Sequence, residues 1–293
     1  MKLAAIDIGS NAARLLITEV TTGKDHEPVF NKLNLIRVPL RLGFEVFESG
    51  VISKEKTGML LQTMKAFKHL INAYGVSHIK ACATSAMRDA KNSNDLIRKV
   101  KLETDIAIEV ITGDMEAGLV FENHIAETLD KDHSYMYIDV GGGSTELSFF
   151  SNGVLIFKES FNIGTIRLLQ NQVNDKTWEV MKEVIKTVTR GQKEVVAIGS
   201  GGNINKVFSM SKRKDGKPLT LDLLKDYHKE LSSVNLEERI RLYSLRSDRA
   251  DVIVPALLIY INAMRWAGAN EMYVPKIGLV DGLVRHMWED LKP

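Results

Sequence analysis

Apolar runs that stop at a polar, glycine-containing turn occur once in each half of the chain. Residues 2–8 are apolar apart from Lys2 and Asp7 and lead into the small polar turn 9–11, after which apolar residues resume. A second, mainly apolar run leads into three consecutive glycines at 141–143. Runs of this length bounded by glycine are typical of buried strands. The two copies of strand, turn and strand predict a duplicated subdomain.

The remaining pattern predicts alternating strands and helices. The first half is predicted as β-β-β-α-β-α-β-α, with further strands at 15–17, 31–40, 78–83 and 106–111 and helices at 53–74, 94–100 and 113–129. Ser53 is a plausible N-cap, Gly75 a helix end, and residues 43–50 a loop. The second half is predicted to have strands at 135–140, 146–150, 154–161, 195–198 and 271–274, and helices within 165–173, 176–190, 221–231, 236–243, 249–266 and 279–291, with one more after 203. Residues 212–218 are predicted to form a charged loop.

Two domains fit the length of 293 residues. No long linker interrupts the chain, so we predict a boundary through packed helices. The first domain is predicted to comprise residues 1–124 plus 279–293, and the second residues 125–278. The longest apolar stretch, 252–264, contains Pro255 and Asn262. We interpret it as a buried helix, too short and too interrupted to span a bilayer.

Composition narrows the class of protein. The net charge of +2 gives no bulk attraction to nucleic acid. Cys82 is the single cysteine, so no intramolecular disulfide forms. The first residues lead directly into a strand and show no signal-peptide layout. We therefore expect a cytoplasmic protein without a nucleic-acid or membrane partner.

The triple-glycine turn suggests anion chemistry. Backbone N–H groups released by such a turn can form an anion-binding concavity. Asp139 and Glu146 flank the turn and can hold a divalent cation. The first hypothesis is a phosphate loop beside a metal, and a glycine hairpin with two surface acids is the alternative that this stretch alone leaves open.

Two strand–turn–strand units, each with an aspartate at the end of its first strand, are typical of the actin-like ATPase architecture. This is an α/β, ribonuclease H-like fold with two duplicated domains facing a central cleft. The chain also resembles the exopolyphosphatase / guanosine pentaphosphate phosphohydrolase (Ppx/GppA) family over almost its whole length. Seven motifs in the order of the family carry the resemblance: DIGSN at 7–11, ATSAMR at 83–88, GDMEA at 113–117, IDVGGGSTE at 138–146, NIGTIRL at 162–168, GSGG at 199–202 and RADVIVP at 249–255.

The resemblance implies hydrolysis of the terminal phosphoanhydride of polyphosphate, with Mg²⁺ as cofactor and a monovalent cation such as K⁺ as an option. It implies Glu116 as general base, with Asp139 and Glu146 at the metal or positioning water. The implied metal set is Asp7, Asp139 and Glu146. The implied phosphate contacts are Ser10, Asn11, Arg88, Gly141, Gly142, Gly143, Ser144 and Thr165. Phosphoryl transfer needs positioning and charge neutralisation, which these residue types supply.

Each of these residues also has a purely structural interpretation. Glu116 would start a helix, where acids are common because of the helix dipole. Arg88 would be a solvated surface side chain, and Asp7 would cap a turn. Residues 199–202 resemble the nucleoside-side loop of actin-like ATPases, but we do not predict bound ATP. The seven histidines show no metal-ligand spacing.

Some positions depart from the family pattern. Met115 replaces one of two adjacent acids, Ala12 replaces a common serine, and Val280 stands where many relatives have arginine. We also expect a short form without the HD-like helical domain of longer relatives, and therefore activity on short polyphosphate or a nucleotide. The resemblance also suggests a homodimer.

Three other functions stay open. Guanosine pentaphosphate (pppGpp) hydrolysis is the first alternative and belongs to the same enzyme class. An actin-like kinase would bind ATP at residues 199–202 and need an acceptor. A catalytically idle regulator would bind polyphosphate or an alarmone without needing Glu116 as a base.

Overall fold

A computed structural model describes residues 1–24, 26–121 and 132–291. The chain divides into two compact units. Unit 1 comprises Met1–Asn123 together with Leu279–Pro293, and unit 2 comprises His124–Gly278. Each unit contains one mixed β-sheet, and each sheet is built around one of the two hairpins that the sequence repeat predicts.

Unit 1 holds a five-stranded sheet in the order β3-β2-β1-β4-β5. Strands β1, β2 and β3 are antiparallel neighbours, whereas β4 and β5 run parallel to β1. The strands are β1 (Lys2–Ile8), β2 (Ala13–Thr22), β3 (Pro28–Val38), β4 (His78–Ala83) and β5 (Ile108–Val110). The helices up to residue 121 are α1 (Leu42–Ser49), α2 (Lys54–Tyr74), α3 (Ser85–Asp89), α4 (Ser93–Thr104) and α5 (Gly113–Phe121).

Unit 2 holds a six-stranded sheet in the order β10-β11-β9-β6-β7-β8. The strands are β6 (Ser134–Val140), β7 (Thr145–Ser151), β8 (Val154–Phe161), β9 (Val195–Ser200), β10 (Leu219–Thr220) and β11 (Glu271–Tyr273). The helices from residue 132 onward are α6 (Thr165–Leu169), α7 (Asp175–Thr189), α8 (Gly202–Met210), α9 (Leu221–Ser232), α10 (Leu236–Tyr243), α11 (Ser247–Ala250) and α12 (Ile253–Ala267).

The last helix of the chain, α13 (Leu279–Asp290), belongs to the core of unit 1. Its buried face presents Leu279, Leu283 and Met287 to a cluster that includes Leu3 of β1 and Leu16 of β2. Apolar positions at this helical spacing form one continuous stripe, which the sheet removes from water. Both ends of the unit's sequence therefore meet in one core.

Helix α12 is the central core element of unit 2. Buried residues on almost every face, among them Ile253, Leu257 and Tyr260, pack into a hydrophobic cluster of the unit. Residues Ser247–Ala267, a wider range than the apolar stretch 252–264, are long and apolar enough to cross a membrane by length and composition. Because 61% of its apolar window is buried inside the protein, the stretch has the character of a core helix, as predicted.

Several predicted element ends are confirmed, and others are wrong. Ser53 caps α2 by accepting a hydrogen bond from the Lys56 N–H, and Gly75 ends the helix in a left-handed conformation. The predicted loop at 43–50 is helix α1, because Val46 and Phe47 find buried positions and Gly50 closes the helix at φ 74°. The polar turn after β4 contains the short helix α3, and the short strand β10 was missed. The predicted end of a helix near residue 129 lies outside the described residues.

The close packing of α13 against α5 can be tested at Gly282. A Cβ atom built on Gly282 would lie 1.8 Å from the backbone carbonyl oxygen of Leu119, so Gly282→Ala has to push two helices apart. We expect a loss of roughly 1–3 kcal/mol of unfolding free energy, measured by thermal or denaturant unfolding.

Gly58→Ala is the matched control, because Gly58 lies within α2 and a Cβ atom added there would meet nothing within 4 Å. This variant should gain about 0.5–1 kcal/mol, since alanine loses less backbone entropy in a helix than glycine. Equal stability of the two variants would contradict the close approach of α13 to α5.

Candidate functional site

In unit 2, two carboxylates lie opposite each other at the root of a tight turn. Asp139 of β6 and Glu146 of β7 are direct cross-strand partners, and residues directly opposite in an antiparallel pair share a face of the sheet. The turn between them closes where the Gly141 N–H donates to the Ser144 carbonyl at 2.9 Å. Glu146 is buried, and the Ser160 hydroxyl donates to its Oε1 at 2.8 Å. The hairpin thus holds its acids in fixed positions.

Helix α6 determines which way the glycine loop faces. The Thr165 N–H donates to the Gly141 carbonyl at 3.1 Å, and the Ile166 N–H donates to the Gly142 carbonyl at 2.8 Å. The Arg167 Nε donates to the Gly143 carbonyl at 2.8 Å. These contacts satisfy N–H groups in the first turn of α6 that have no partner within the helix.

The direction of the carbonyls fixes the direction of the N–H groups. In a trans peptide, the carbonyl and the next N–H point in opposite directions, and the described chain contains no cis peptide bond. The N–H groups of Gly142, Gly143 and Ser144 therefore point away from α6. Successive N–H groups aimed the same way form an anion-binding concavity of the kind that holds phosphate.

Gly164 permits this close contact. A Cβ atom at Gly164 would lie 2.4 Å from the Gly142 carbonyl oxygen, so any larger residue would displace the loop. Next to it, the Thr145 hydroxyl donates to the Ile163 carbonyl at 2.5 Å and fixes the entry into α6. Thr165 is buried and contributes its backbone N–H to the loop.

A third strand lies directly beside Asp139. Ser200, the last residue of β9, is the parallel neighbour of Asp139, and Gly201 follows at φ 113°. A Cβ atom at Gly201 would lie 3.1 Å from Asp139 Oδ1 and 3.2 Å from the Tyr260 hydroxyl. The Tyr260 hydroxyl donates to the Ser200 carbonyl. Burial, and next the charge of Asp139, raise the pKa of Tyr260 well above its usual value.

Unit 1 contains the same hairpin with a different pair of charges. Asp7 of β1 lies opposite Arg14 of β2, and their side chains form a salt bridge at 2.5 Å. The Gly9 N–H donates to the Ala12 carbonyl at 3.1 Å, which corresponds to the turn closure in unit 2. Burial raises the pKa of Asp7, and Arg14 opposes this shift. In unit 1 an arginine therefore occupies the position that Glu146 has in unit 2.

The turn of unit 1 is tied to α1 and α3. The hydroxyl oxygens of Ser10 and Ser85 lie 2.8 Å apart, and the Ala86 N–H donates to the Ser10 hydroxyl at 3.1 Å. The Arg41 N–H donates to the Asn11 carbonyl at 3.0 Å. Asn11 itself is half-buried. The turn residues Ser10 and Asn11, which are predicted to contact phosphate, are thus fixed by side-chain and backbone hydrogen bonds.

Arg88 and Glu116 both form hydrogen bonds with the short segment 111–112 of unit 1. The Arg88 guanidinium donates to the Ile111 carbonyl at 2.9 Å, and Glu116 lies in the first turn of α5, where its N–H donates to the Thr112 carbonyl at 3.0 Å. Burial raises the pKa of the Cys82 thiol well above its usual value, and the negative charges of Asp7 and Glu116 add to that shift. The charges of Asp7 and Glu116 therefore both act on the buried Cys82 thiol of unit 1.

The predicted residues form two groups. Unit 1 contains Asp7, Ser10, Asn11, Arg88 and Glu116 around the ends of β1, β4 and β5. Unit 2 contains Asp139, Gly141, Gly142, Gly143, Ser144, Glu146 and Thr165 around the ends of β6 and β7. Within the described ranges, no group of three or more His, Cys, Asp or Glu side chains is arranged to hold a metal. Asp139 and Glu146 thus form a pair of acids that is not part of a larger described group.

Four residues with roles at these turns were missed from the sequence. Gly164 and Arg167 fall within a motif that carried the family resemblance, so their position was a usable signal. Arg14 follows from the repeat, because the hairpin that pairs residue 139 with residue 146 also pairs Asp7 with residue 14. Tyr260 gave no signal, because it lies in an apolar run typical of a core helix.

Comparisons with known proteins agree with this geometry. The chain aligns with a Ppx/GppA family member from Aquifex aeolicus at 25% identity and a TM-score of 0.76, covering 100% of this chain and 99% of the other. An exopolyphosphatase structure from Cytophaga hutchinsonii gives 25% identity and a TM-score of 0.85 with the same coverage. The protein therefore has the predicted actin-like α/β fold.

Residues 16–290 match the profile of the Ppx/GppA phosphatase family, so the chain belongs to that family. Exopolyphosphatase 1 from Mycobacterium tuberculosis is 25% identical over 304 residues, which cover 97% of this chain and 87% of that protein. A bifunctional 3-dehydroquinate synthase/phosphatase from Fusobacterium nucleatum is 28% identical over 302 residues. That alignment covers 92% of this chain but 44% of the relative, so the chain spans less than half of its length.

The environment of Cys82 can be tested with a thiol reagent, because the sequence contains one cysteine. Burial and the nearby carboxylates keep the thiol protonated, and the thiolate is the reactive form. At pH 8 the folded protein should react with iodoacetamide far more slowly than the same protein in denaturant, as followed by mass spectrometry. Equally fast labelling of the folded and unfolded protein would contradict this environment.

Proposed function

We propose that the protein is an exopolyphosphatase that releases the terminal phosphate of inorganic polyphosphate by attack of water. The observation that carries the proposal is the glycine loop, whose N–H groups at 142–144 point away from α6 beside the paired acids Asp139 and Glu146. A loop of this kind binds a phosphate by its backbone, so it recognises charge and shape and needs no base or sugar. Relatives named exopolyphosphatase that align with 97% of the chain support this substrate class.

The reaction requires one bond to form and one to break. The oxygen of water forms a bond to the terminal phosphorus, and the bond from that phosphorus to the bridging oxygen breaks. Glu116 is the proposed base that orients the water and takes its proton. Arg88 is the proposed cation that neutralises charge on the phosphoryl oxygens. The shortened chain leaves with the bridging oxygen.

Mg²⁺ is the proposed cofactor, and Asp139 and Glu146 are its proposed ligands. Mg²⁺ uses one or two carboxylates together with water and substrate oxygens, which fits a pair of acids fixed opposite each other. When bound, the ion would neutralise phosphate charge. Asp7 fits this role less well, because Arg14 occupies one of its oxygens. We therefore assign Asp7 to holding Arg14 and the turn of unit 1.

The role of Glu116 can be tested with a charge-removing variant. Glu116→Gln keeps the size of the side chain but removes the base, so phosphate release from short polyphosphate with Mg²⁺ should fall by about 100-fold or more in kcat. Guanosine pentaphosphate and ATP are assayed in parallel, and we expect polyphosphate to give the highest kcat/KM.

Asp114→Asn is the matched control, because Asp114 is an exposed acid in the same first turn of α5. Its activity should stay within about twofold of wild type, since a surface acid contributes little. Equal activity of the Glu116→Gln variant and wild type would remove Glu116 as the base. Faster hydrolysis of guanosine pentaphosphate would make the nucleotide the preferred substrate.

The metal assignment predicts a loss of activity on chelation. Treatment with EDTA should abolish phosphate release, and added Mg²⁺ should restore it. Asp139→Asn and Glu146→Gln should each raise the Mg²⁺ concentration needed for half-maximal activity by about tenfold or more. Glu179→Gln on the exposed face of α7 should leave that concentration unchanged. Full activity in EDTA would exclude the divalent cation.

A further inference from the structure

A core tyrosine of unit 2 forms a hydrogen bond to the strand beside the acid that is proposed to bind the cation. Tyr260 lies in the middle of α12, has no solvent exposure and packs within the apolar cluster of the unit. Its hydroxyl donates to the carbonyl of Ser200, the last residue of β9. Because Ser200 is the parallel neighbour of Asp139, this hydrogen bond lies at the end of the strand beside that acid.

Gly201 lies between the Tyr260 hydroxyl and the Asp139 carboxylate. The Cβ position of Gly201 lies 3.1 Å from Asp139 Oδ1, 3.2 Å from the Tyr260 hydroxyl and 3.2 Å from the Val140 carbonyl. The glycine adopts φ 113°, a conformation that other residues rarely take. The turn from β9 into α8 is therefore packed between Asp139 and Tyr260. A shift of this turn would change the space that the Asp139 carboxylate can occupy.

Packing alone does not require a hydroxyl at residue 260. A phenylalanine would fill the same apolar volume, and a buried hydroxyl is unfavourable unless it finds a partner. Here the partner is the Ser200 carbonyl at the end of β9. With phenylalanine at residue 260, this buried carbonyl would have no donor from that side chain. Compared with phenylalanine, the tyrosine thus stabilises the turn beside Asp139.

We propose that Tyr260 is a positioning residue for Asp139: its hydroxyl fixes the Ser200–Gly201 turn and thereby the orientation in which the carboxylate meets a divalent cation. Tyr260 does not touch the cation or the substrate. The inference rests on the proposed metal site. Loss of the hydroxyl should weaken cation binding while the core of unit 2 stays packed, because the ring is retained.

The test uses Mn²⁺, an octahedral, oxygen-preferring probe, and requires no substrate. The concentration of free Mn²⁺ is measured by electron paramagnetic resonance during titration of the full chain. Wild type, Tyr260→Phe and Asp139→Asn are titrated in the same way. We expect Tyr260→Phe to raise the Mn²⁺ dissociation constant by about tenfold, the lower end of the effect of residues that orient metal ligands. Asp139→Asn should raise it further.

Tyr243→Phe is the matched control. It also removes a tyrosine hydroxyl from unit 2, but this hydroxyl bonds the exposed side chain of Glu230 and has no link to Asp139. Its Mn²⁺ dissociation constant should equal that of wild type. Calorimetry of all variants, carried out without metal, checks that each is folded at the titration temperature.

An unchanged Mn²⁺ affinity in folded Tyr260→Phe would overturn the inference. If Tyr260→Phe does not fold, Gly201→Ala provides the second variant, because its added methyl group moves the same turn and keeps the hydroxyl. That variant should also bind Mn²⁺ more weakly, and wild-type affinity in it would overturn the inference.

The outcome for the metal site is separable from that for the activity. If wild type binds Mn²⁺ through Asp139 and Tyr260→Phe weakens that binding, the inference stands even where polyphosphate releases no phosphate, and only the proposed function fails. If wild type binds no Mn²⁺, or binds it equally well as Asp139→Asn, the inference fails with the metal site.

Discussion

The hydrogen bonds between the first turn of α6 and the carbonyls of Gly141 and Gly142 are the constraint on which the rest of unit 2 depends. A triple glycine has more conformational freedom than other sequences, so its direction has to come from outside the loop. Helix α6 fixes the direction of the loop, because the N–H groups of its first turn donate to the loop carbonyls. One set of contacts therefore completes a helix and orients the N–H groups of the candidate phosphate loop, and Gly164 is the residue that lets the two approach.

Duplication explains why the two halves are similar in backbone and different in chemistry. Both hairpins close their turns by the same type of hydrogen bond, from Gly9 to Ala12 and from Gly141 to Ser144. The partner of the first-strand aspartate differs, since Arg14 neutralises Asp7 whereas Glu146 adds a second negative charge beside Asp139. In the proposed function, the neutralised pair serves as scaffold and the pair of acids binds the cation.

The sequence predicted the local features best. Both hairpins, the cap at Ser53 and the helix end at Gly75 depend on neighbouring residues, and these are visible as apolar runs, a small polar residue and glycine. Helix α1 was missed because its start at Arg41 requires a left-handed backbone that no glycine marks. Gly164 and Tyr260 act on residues far away in sequence, so only the packed structure reveals what they contact. The single helix predicted at 249–266 corresponds to two helices, α11 and α12.

The position of α13 has a consequence for how the chain folds during synthesis. Unit 2 is one continuous segment, His124–Gly278, whereas the core of unit 1 combines β1 with a helix that is synthesised only after all of unit 2. Unit 2 can therefore reach its native packing while the nascent chain is still being extended. The sheet of unit 1 has to keep its apolar face, including Leu3 and Leu16, out of other contacts until Leu279–Asp290 emerges. The interval between these events is the period in which unit 1 is most exposed to aggregation.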